Sequence, residues 1–268
     1  MSGEEDKMTK VGRGGLKGRA GLAGLLGALL MAAPVLASDS DLQTRVQERL
    51  ARAGLEKRGN VQVSAKDGVV TLEGFTLTVD ARRDAEKAAG KETKRVESRL
   101  VVRPEEGVSD AQVQERVADA ILREPRYGVF DSVGVAVQDG VVVLQGSVHQ
   151  PWLKDSFDQR VAQVEGVRDI KNEIRIAPAS GYDDRLRAQL YRRIYGDDMF
   201  VRYANWADPP IRIVVENGKV TLTGVVNSRV EQARLGMIAR GTLAFKVTNA
   251  VEVESERSKE PVKKTTES

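Results

Sequence analysis

Three tandem α+β domains are predicted for this 268-residue chain, each a small two-layer unit ordered helix–strand–strand–helix–strand. Three observations lead there. The octapeptide DGVVTLEG (67–74) returns as DGVVVLQG (139–146) and as NGKVTLTG (217–224). Apolar residues alternate on both sides of its Asp-Gly or Asn-Gly pair, the pattern of an extended chain with one buried face. Each copy is flanked by segments of helical period.

The octapeptide predicts a β-hairpin. With Gly68, Gly140 and Gly218 as origins, the copies lie 72 and 78 residues apart. They agree at Val61/Val133/Ile211 and Val63/Val135/Ile213 before the turn, and at Val70/Val142/Val220 and Leu72/Leu144/Leu222 after it. Asp-Gly and Asn-Gly tolerate positive φ and reverse the chain cheaply. A second glycine, Gly74, Gly146 or Gly224, closes each second strand, where a side chain does not fit or the chain must bend. These six glycines bracket a strand. A phosphate cradle would instead place several glycines at the opening of a helix.

The remaining elements follow in order. Upstream of each hairpin, Leu42/Val46/Leu50, Val113/Val117/Ile121 and Leu186/Leu190/Ile194 form apolar stripes at four-residue spacing. Asp39 or Ser40, and Ser109, are expected N-caps. Downstream lie second helices in QPWLKDSFDQRVAQV and SRVEQARLGMIARG. The first unit's version, DARRDAEKAAGKET, carries only an alanine stripe, Ala81, Ala85 and Ala88. Alternating strands close the units at 96–102, 170–176 and 247–253, each completing a three-stranded sheet covered by the helices on one face. The expected boundaries are 38–104, 109–177 and 182–254. The third unit has an insertion at about 198–210, and a charged tail at 255–268 is expected to be disordered.

Residues 1–37 read as a cleavable signal peptide. Five basic side chains precede the apolar run AGLAGLLGALLMAA, and Val35 and Ala37 stand at −3 and −1 of a cut before Ser38. The other reading is a membrane anchor, but a span needs about 20 apolar residues and this run is about 14. Export on such a signal implies a periplasmic location, which is the expectation here. The segment holds five basic and three acidic residues, so the formal charge of +3 becomes +1 for the remainder. That is too little to argue for nucleic acid.

The units resemble the BON domain, the bacterial OsmY and nodulation family. The resemblance rests on the element order, on the hairpin pattern VxVxxxxGxVxLxG, and on the closing pattern VxNxVxV. The last is seen at Val247, Asn249, Val251 and Val253, and as Ile170, Asn172, Ile174 and Ile176 in the second copy. The first copy departs, with Ser98 at the Asn position. The resemblance implies a non-enzymatic module of the envelope linked to osmotic stress and envelope integrity. It also implies a candidate role in binding anionic phospholipid through one domain.

No catalytic motif is visible. There is no cysteine, and His149 is the single histidine, so thiolate metal sites and Cys nucleophiles are excluded. No cofactor or metal site is expected, and His149 reads as a turn residue. The chemistry-bearing stretch is RLRAQLYRRIYGDDMF and its continuation. Arg185, Arg187, Arg192 and Arg193 stand beside Tyr191, Tyr195, Phe200 and Trp206, and residues 182–206 hold five of the ten Tyr and Phe residues. Arginines beside rings suit an anionic membrane surface, with the rings at the interface and guanidiniums on phosphates. The same rings could instead cover a sheet edge or the core. The expected partner is an anionic membrane surface, or an envelope protein if the units serve as an adaptor. Nothing in the sequence sets an oligomeric state.

Overall fold

A computed structural model describes residues 38–104, 107–206 and 208–257, all within one compact unit of the chain. The signal peptide expected at 1–37 and most of the expected tail lie outside the described residues.

Unit one runs α1 (Asp39–Arg52), a 3-10 turn (Leu55–Lys57), β1 (Gly59–Lys66), β2 (Val69–Thr76), α2 (Val79–Gly90) and β3 (Val96–Val102). Unit two runs α3 (Asp110–Leu122), β4 (Ser132–Gln138), β5 (Val141–Val148), α4 (Pro151–Ala162) and β6 (Asp169–Ile176). Unit three runs α5 (Gly181–Tyr195), α6 (Val201–Ala204), β7 (Ile211–Glu216), β8 (Lys219–Val226), α7 (Arg229–Arg240), β9 (Lys246–Asn249), β10 (Glu252–Val253) and α8 (Glu254–Arg257). In each sheet the hairpin strands are antiparallel, and the middle strand pairs in parallel with the last one across the second helix. The predicted order holds in all three copies. Two details differ. The last strand of unit three is broken at Ala250 and Val251 into β9 and β10, both on β8. The start of the expected tail, residues 255–257, lies in a short helix that begins at Glu254.

The hairpin turns have positive φ at both central residues: 53° and 73° at Asp67 and Gly68, 53° and 75° at Asp139 and Gly140, 51° and 72° at Asn217 and Gly218. This geometry matches the right-handed twist of the strands it joins. The second glycine meets a different need. A Cβ on Gly146 would lie 2.0 Å from the Ser132 carbonyl oxygen of the neighbouring strand.

A carboxylate from the first turn of the first helix clamps each turn. Asp39 accepts from the Asp67 and Gly68 amides at 2.8 and 2.9 Å, and Asp110 from Asp139 and Gly140 at 2.8 and 2.9 Å. Asp183 accepts from Asn217 and Gly218 at 2.8 and 2.7 Å. Positive-φ turns expose consecutive N–H groups on one side, and a charged acceptor there makes strong bonds. The bonds from Gly68 and Asp67 hold the Asp39 carboxyl below its ordinary range. The N-cap of α1 is therefore Ser38, not Asp39 or Ser40, because Asp39 serves the turn. Ser109 caps α3 within a full capping box.

Each unit has its own apolar core, and the helical stripes predicted from spacing are the buried faces of α1, α3 and α5. In unit one the alanines of α2 let it lie close on the sheet, with Ala81, Ala85 and Ala89 fully buried. The family asparagine has a structural task. Asn172 and Asn249 donate to the Lys154 and Gln232 carbonyls at 3.0 and 2.7 Å, tying the last strand to the second helix. Ser98 occupies the same register opposite Leu72 and is too short to reach across.

The units are joined by packed seams. Val79 and Val102 of unit one bury in the core of unit two, beside ion pairs Arg82–Asp169 (3.1 Å) and Arg83–Asp158. Between units two and three, the Ile213 amide donates to the Val129 carbonyl at 2.6 Å. Arg212, almost fully buried, donates to the Gly128 carbonyl at 3.0 Å and lies 4.4 Å over the Tyr127 ring.

Candidate functional site

The arginine–aromatic stretch of unit three is divided by the fold. Arg187, Tyr195 and Phe200 are buried, which removes them from any candidate lipid surface. Arg187 lies on the inward side of α5. It donates to Asp184 at 2.7 Å and to the Val215 carbonyl at 2.6 Å, fixing the helix to β7. The Tyr195 hydroxyl donates to the Ile211 carbonyl at 2.6 Å, and burial pushes that phenol well above its ordinary range. The insertion turns Phe200 and Tyr203 into the core. There Glu231, on α7, accepts from the Tyr203 hydroxyl at 2.9 Å and from Arg202. Residues on the inward flank of a helix bury once an insertion covers them, and spacing alone could not show which way the insertion folds.

Arg185, Tyr191, Arg192, Arg193 and Trp206 remain at the surface. They do not form one cluster. Tyr191 packs edge-on to Phe130 of unit two, with ring centres 6.1 Å apart. Trp206 stands edge-on to Tyr203 at 5.3 Å. Arg193 donates to the Gly241 carbonyl at 2.7 Å and so braces the loop after α7.

What gathers at Arg185 and Arg192 is a groove of about 460 Å³ between the outer face of α5 and that loop. It is lined by Tyr182, Leu186, Ala188, Gln189 and Leu243 together with the two arginines. Leu243 and Phe245 project from the loop with 77% and 76% of their surface in solvent. Tyr182 fixes them, stacking on Phe245 at 5.3 Å with its hydroxyl donating to the Leu243 carbonyl. Sequence reasoning missed Tyr182, Leu243 and Phe245. The signal was present as two large apolar residues in TLAF, two apart and outside any stripe, where a solvated loop would carry polar residues.

His149 is more than a turn residue. Its backbone N–H and its ring Nδ1 lie 2.9 and 2.8 Å from Oδ1 of the fully buried Asp131, whose other oxygen accepts from the Gly128 amide at 3.1 Å. This bonding holds the 127–131 loop in shape. Among the described residues, no group of three or more His, Asp and Glu side chains could hold a metal ion. No helix among them is long and apolar enough to cross a membrane.

Three copies of one small α+β module, with the hairpin in register in all three and the asparagine in units two and three, define a class of tandem-repeat protein. The family model for the BON domain matches residues 38–104, 109–178 and 183–255, and the chain belongs to that family. BON-domain proteins are associated with the envelope and osmotic stress, and the match indicates no catalytic family. Among solved structures, the chain is similar to the C-terminal domain of CdsD, a structural protein of the type III secretion system of Chlamydia trachomatis. That likeness has 13% identity, covers 80% of this chain and 97% of that one, and has a TM-score of 0.22. A second CdsD structure matches at 14% identity over 84% and 100% of the two chains, with a TM-score of 0.23. Overlap that low bears on neither fold nor function.

Proposed function

We propose that this is a non-enzymatic, exported protein of the periplasm that supports envelope integrity by docking on anionic phospholipid through unit three. The observation that carries the reading is the groove beside Leu243 and Phe245. Two large apolar side chains stand in water at a loop tip, while Arg185 and Arg192 flank them without a carboxylate partner among the described residues. Apolar tips that enter the interface and guanidiniums that meet phosphates are the two components of peripheral lipid binding. With a formal charge near +1 outside the leader, long-range attraction is weak, so a local patch of this kind is required.

The test is co-sedimentation of residues 38–268 with phosphatidylglycerol-containing vesicles, against neutral phosphatidylcholine vesicles, at low and physiological salt. Binding only to the anionic vesicles is expected, lost in the double variant Arg185→Glu with Arg192→Glu and weakened by Phe245→Ser. Arg193 is left intact because it braces the loop. No binding to anionic vesicles, or full binding by the charge-reversed variant, overturns the reading.

A further inference from the structure

The repeats allow one groove to be compared across two units. Leu42, Val46 and Leu50 of α1 stand where Leu186, Leu190 and Ile194 stand in α5, and Val61 and Val63 of β1 stand where Ile211 and Ile213 stand in β7. In both units the first strand is an edge of the sheet, bonded to the second strand on one side. An edge strand presents unpaired amides and carbonyls on its other side.

In unit three this outer side is filled twice. From within, Tyr195 reaches over the end of α5 to bond the Ile211 carbonyl. From outside, unit two supplies the segment Tyr127–Phe130. The Val129 carbonyl takes the Ile213 amide, its side chain joins the core of unit three, and Phe130 lies against Tyr191. In unit one the positions of Tyr191 and Tyr195 are held by Gln47 and Ala51. Unit two docks elsewhere on unit one, through Val79 and Val102. Among the described residues, a groove of about 540 Å³ is left between the end of α1 and the edge of β1, lined by Gln47, Leu50, Ala51, Leu55, Asn60 and Val61.

We infer that this groove of unit one is a docking site for a short segment of a partner protein that carries a β-branched residue followed by an aromatic. That is the chemistry which Val129 and Phe130 bring to the equivalent groove of unit three. A partner carbonyl takes the Val63 amide, as the Val129 carbonyl takes that of Ile213. The aromatic ring lies against Gln47, as Phe130 lies against Tyr191. A partner hydroxyl or amide reaches the Val61 carbonyl, which has no counterpart of the Tyr195 hydroxyl. Main-chain bonds to the strand edge give affinity, and the helix flank at Gln47 selects the aromatic. This site is on a different unit from the lipid groove and stands or falls separately from it.

The probe is the synthetic peptide PRYGVFDS, residues 125–132 of the chain itself, titrated into isotope-labelled 38–268 and followed by NMR. Shifts are expected at the amides of Gln47, Ala51, Val61 and Val63. Gln47→Tyr, which installs the ring that meets Phe130 in unit three, is expected to tighten binding about twofold to tenfold, and replacing the peptide's Val-Phe pair by Ser-Ser is expected to weaken it about tenfold or more. Gln47 is exposed on α1, so the variant folds as the parent does, which the unchanged remainder of the spectrum verifies. No shifts at millimolar peptide, shifts elsewhere on the chain, or binding that Gln47→Tyr does not tighten overturns the inference. Movement of the same signals with protein concentration alone assigns the groove to a second copy and overturns it as well.

Discussion

Replacing Asp183 with alanine tests whether the helix–turn clamp is an energetic element of each unit. Asp183 is fully buried and holds the Asn217 and Gly218 amides at 2.8 and 2.7 Å. The turn geometry fixes both N–H groups toward α5, and no other acceptor is positioned to take them over. Leaving the buried Gly218 donor unpaired costs roughly 1–3 kcal/mol, and losing the partly buried Asn217 bond adds about 1 kcal/mol, so Asp183→Ala removes about 3 kcal/mol from unit three. Hydrogen exchange followed by NMR reads the units separately. Protection of the strand amides in β7 and β8 is expected to fall about a hundredfold, at 1.4 kcal/mol per factor of ten. Asp183→Asn is expected to lose nearly as much, since its amide group turns one acceptor into a donor facing an N–H. The same change at Asp39, whose carboxylate is far more accessible, lets water replace the lost bonds and produces a smaller effect in unit one. A fall of less than about threefold for Asp183→Ala, or one no larger than that for Asp39→Ala, would refute the reasoning that burial of the clamp sets its worth.

Two further outcomes follow from individual contacts. Gly146 has φ 128° and lies against the Ser132 carbonyl, so Gly146→Ala is expected to destabilise unit two by about 2 kcal/mol or more. Gly90→Ala, at the end of α2 with open space around it, should leave unit one unchanged or slightly more stable; urea denaturation compares the two. Hydrogen bonds from Arg49 and then Arg45 hold the Glu92 carboxyl below its ordinary range. A depressed folded pKa adds stability that is present above the unfolded value of about 4.3 and is lost as pH falls through the lower folded value. Unit one should therefore weaken below about pH 4, and Glu92→Gln should flatten that dependence while lowering stability at neutral pH.

The repeat, the hairpins, the helical stripes and the order of elements were legible in the sequence because each depends on neighbours in the chain. Alternation puts one face of a strand inside, a spacing of four aligns a helical stripe, and Asp-Gly accepts positive φ. Leu42, Val46 and Leu50 are buried for that local reason, and so are their counterparts in α3 and α5. The family asparagine was visible as a pattern, but its bond to a helix carbonyl 17 or 18 residues away was not.

The candidate site was legible only in part. Arg185 and Arg192 stand at the surface, as the membrane reading requires. Arg187, Tyr195 and Phe200 do not, because the insertion and the edge of β7 close over that side of α5. Whether a ring on the flank of a helix meets water or protein depends on what packs there from elsewhere in the chain. The same holds for Leu243 and Phe245, placed beside Arg185 by a loop much further along the chain. The sequence by itself determined the three folds, since their signals are local and repeated. The tertiary structure alone decided which groove is filled and which is open. Val129 of unit two enters it in unit three, while among the described residues no segment enters it in unit one, and that difference arises from a contact between units that no local pattern encodes.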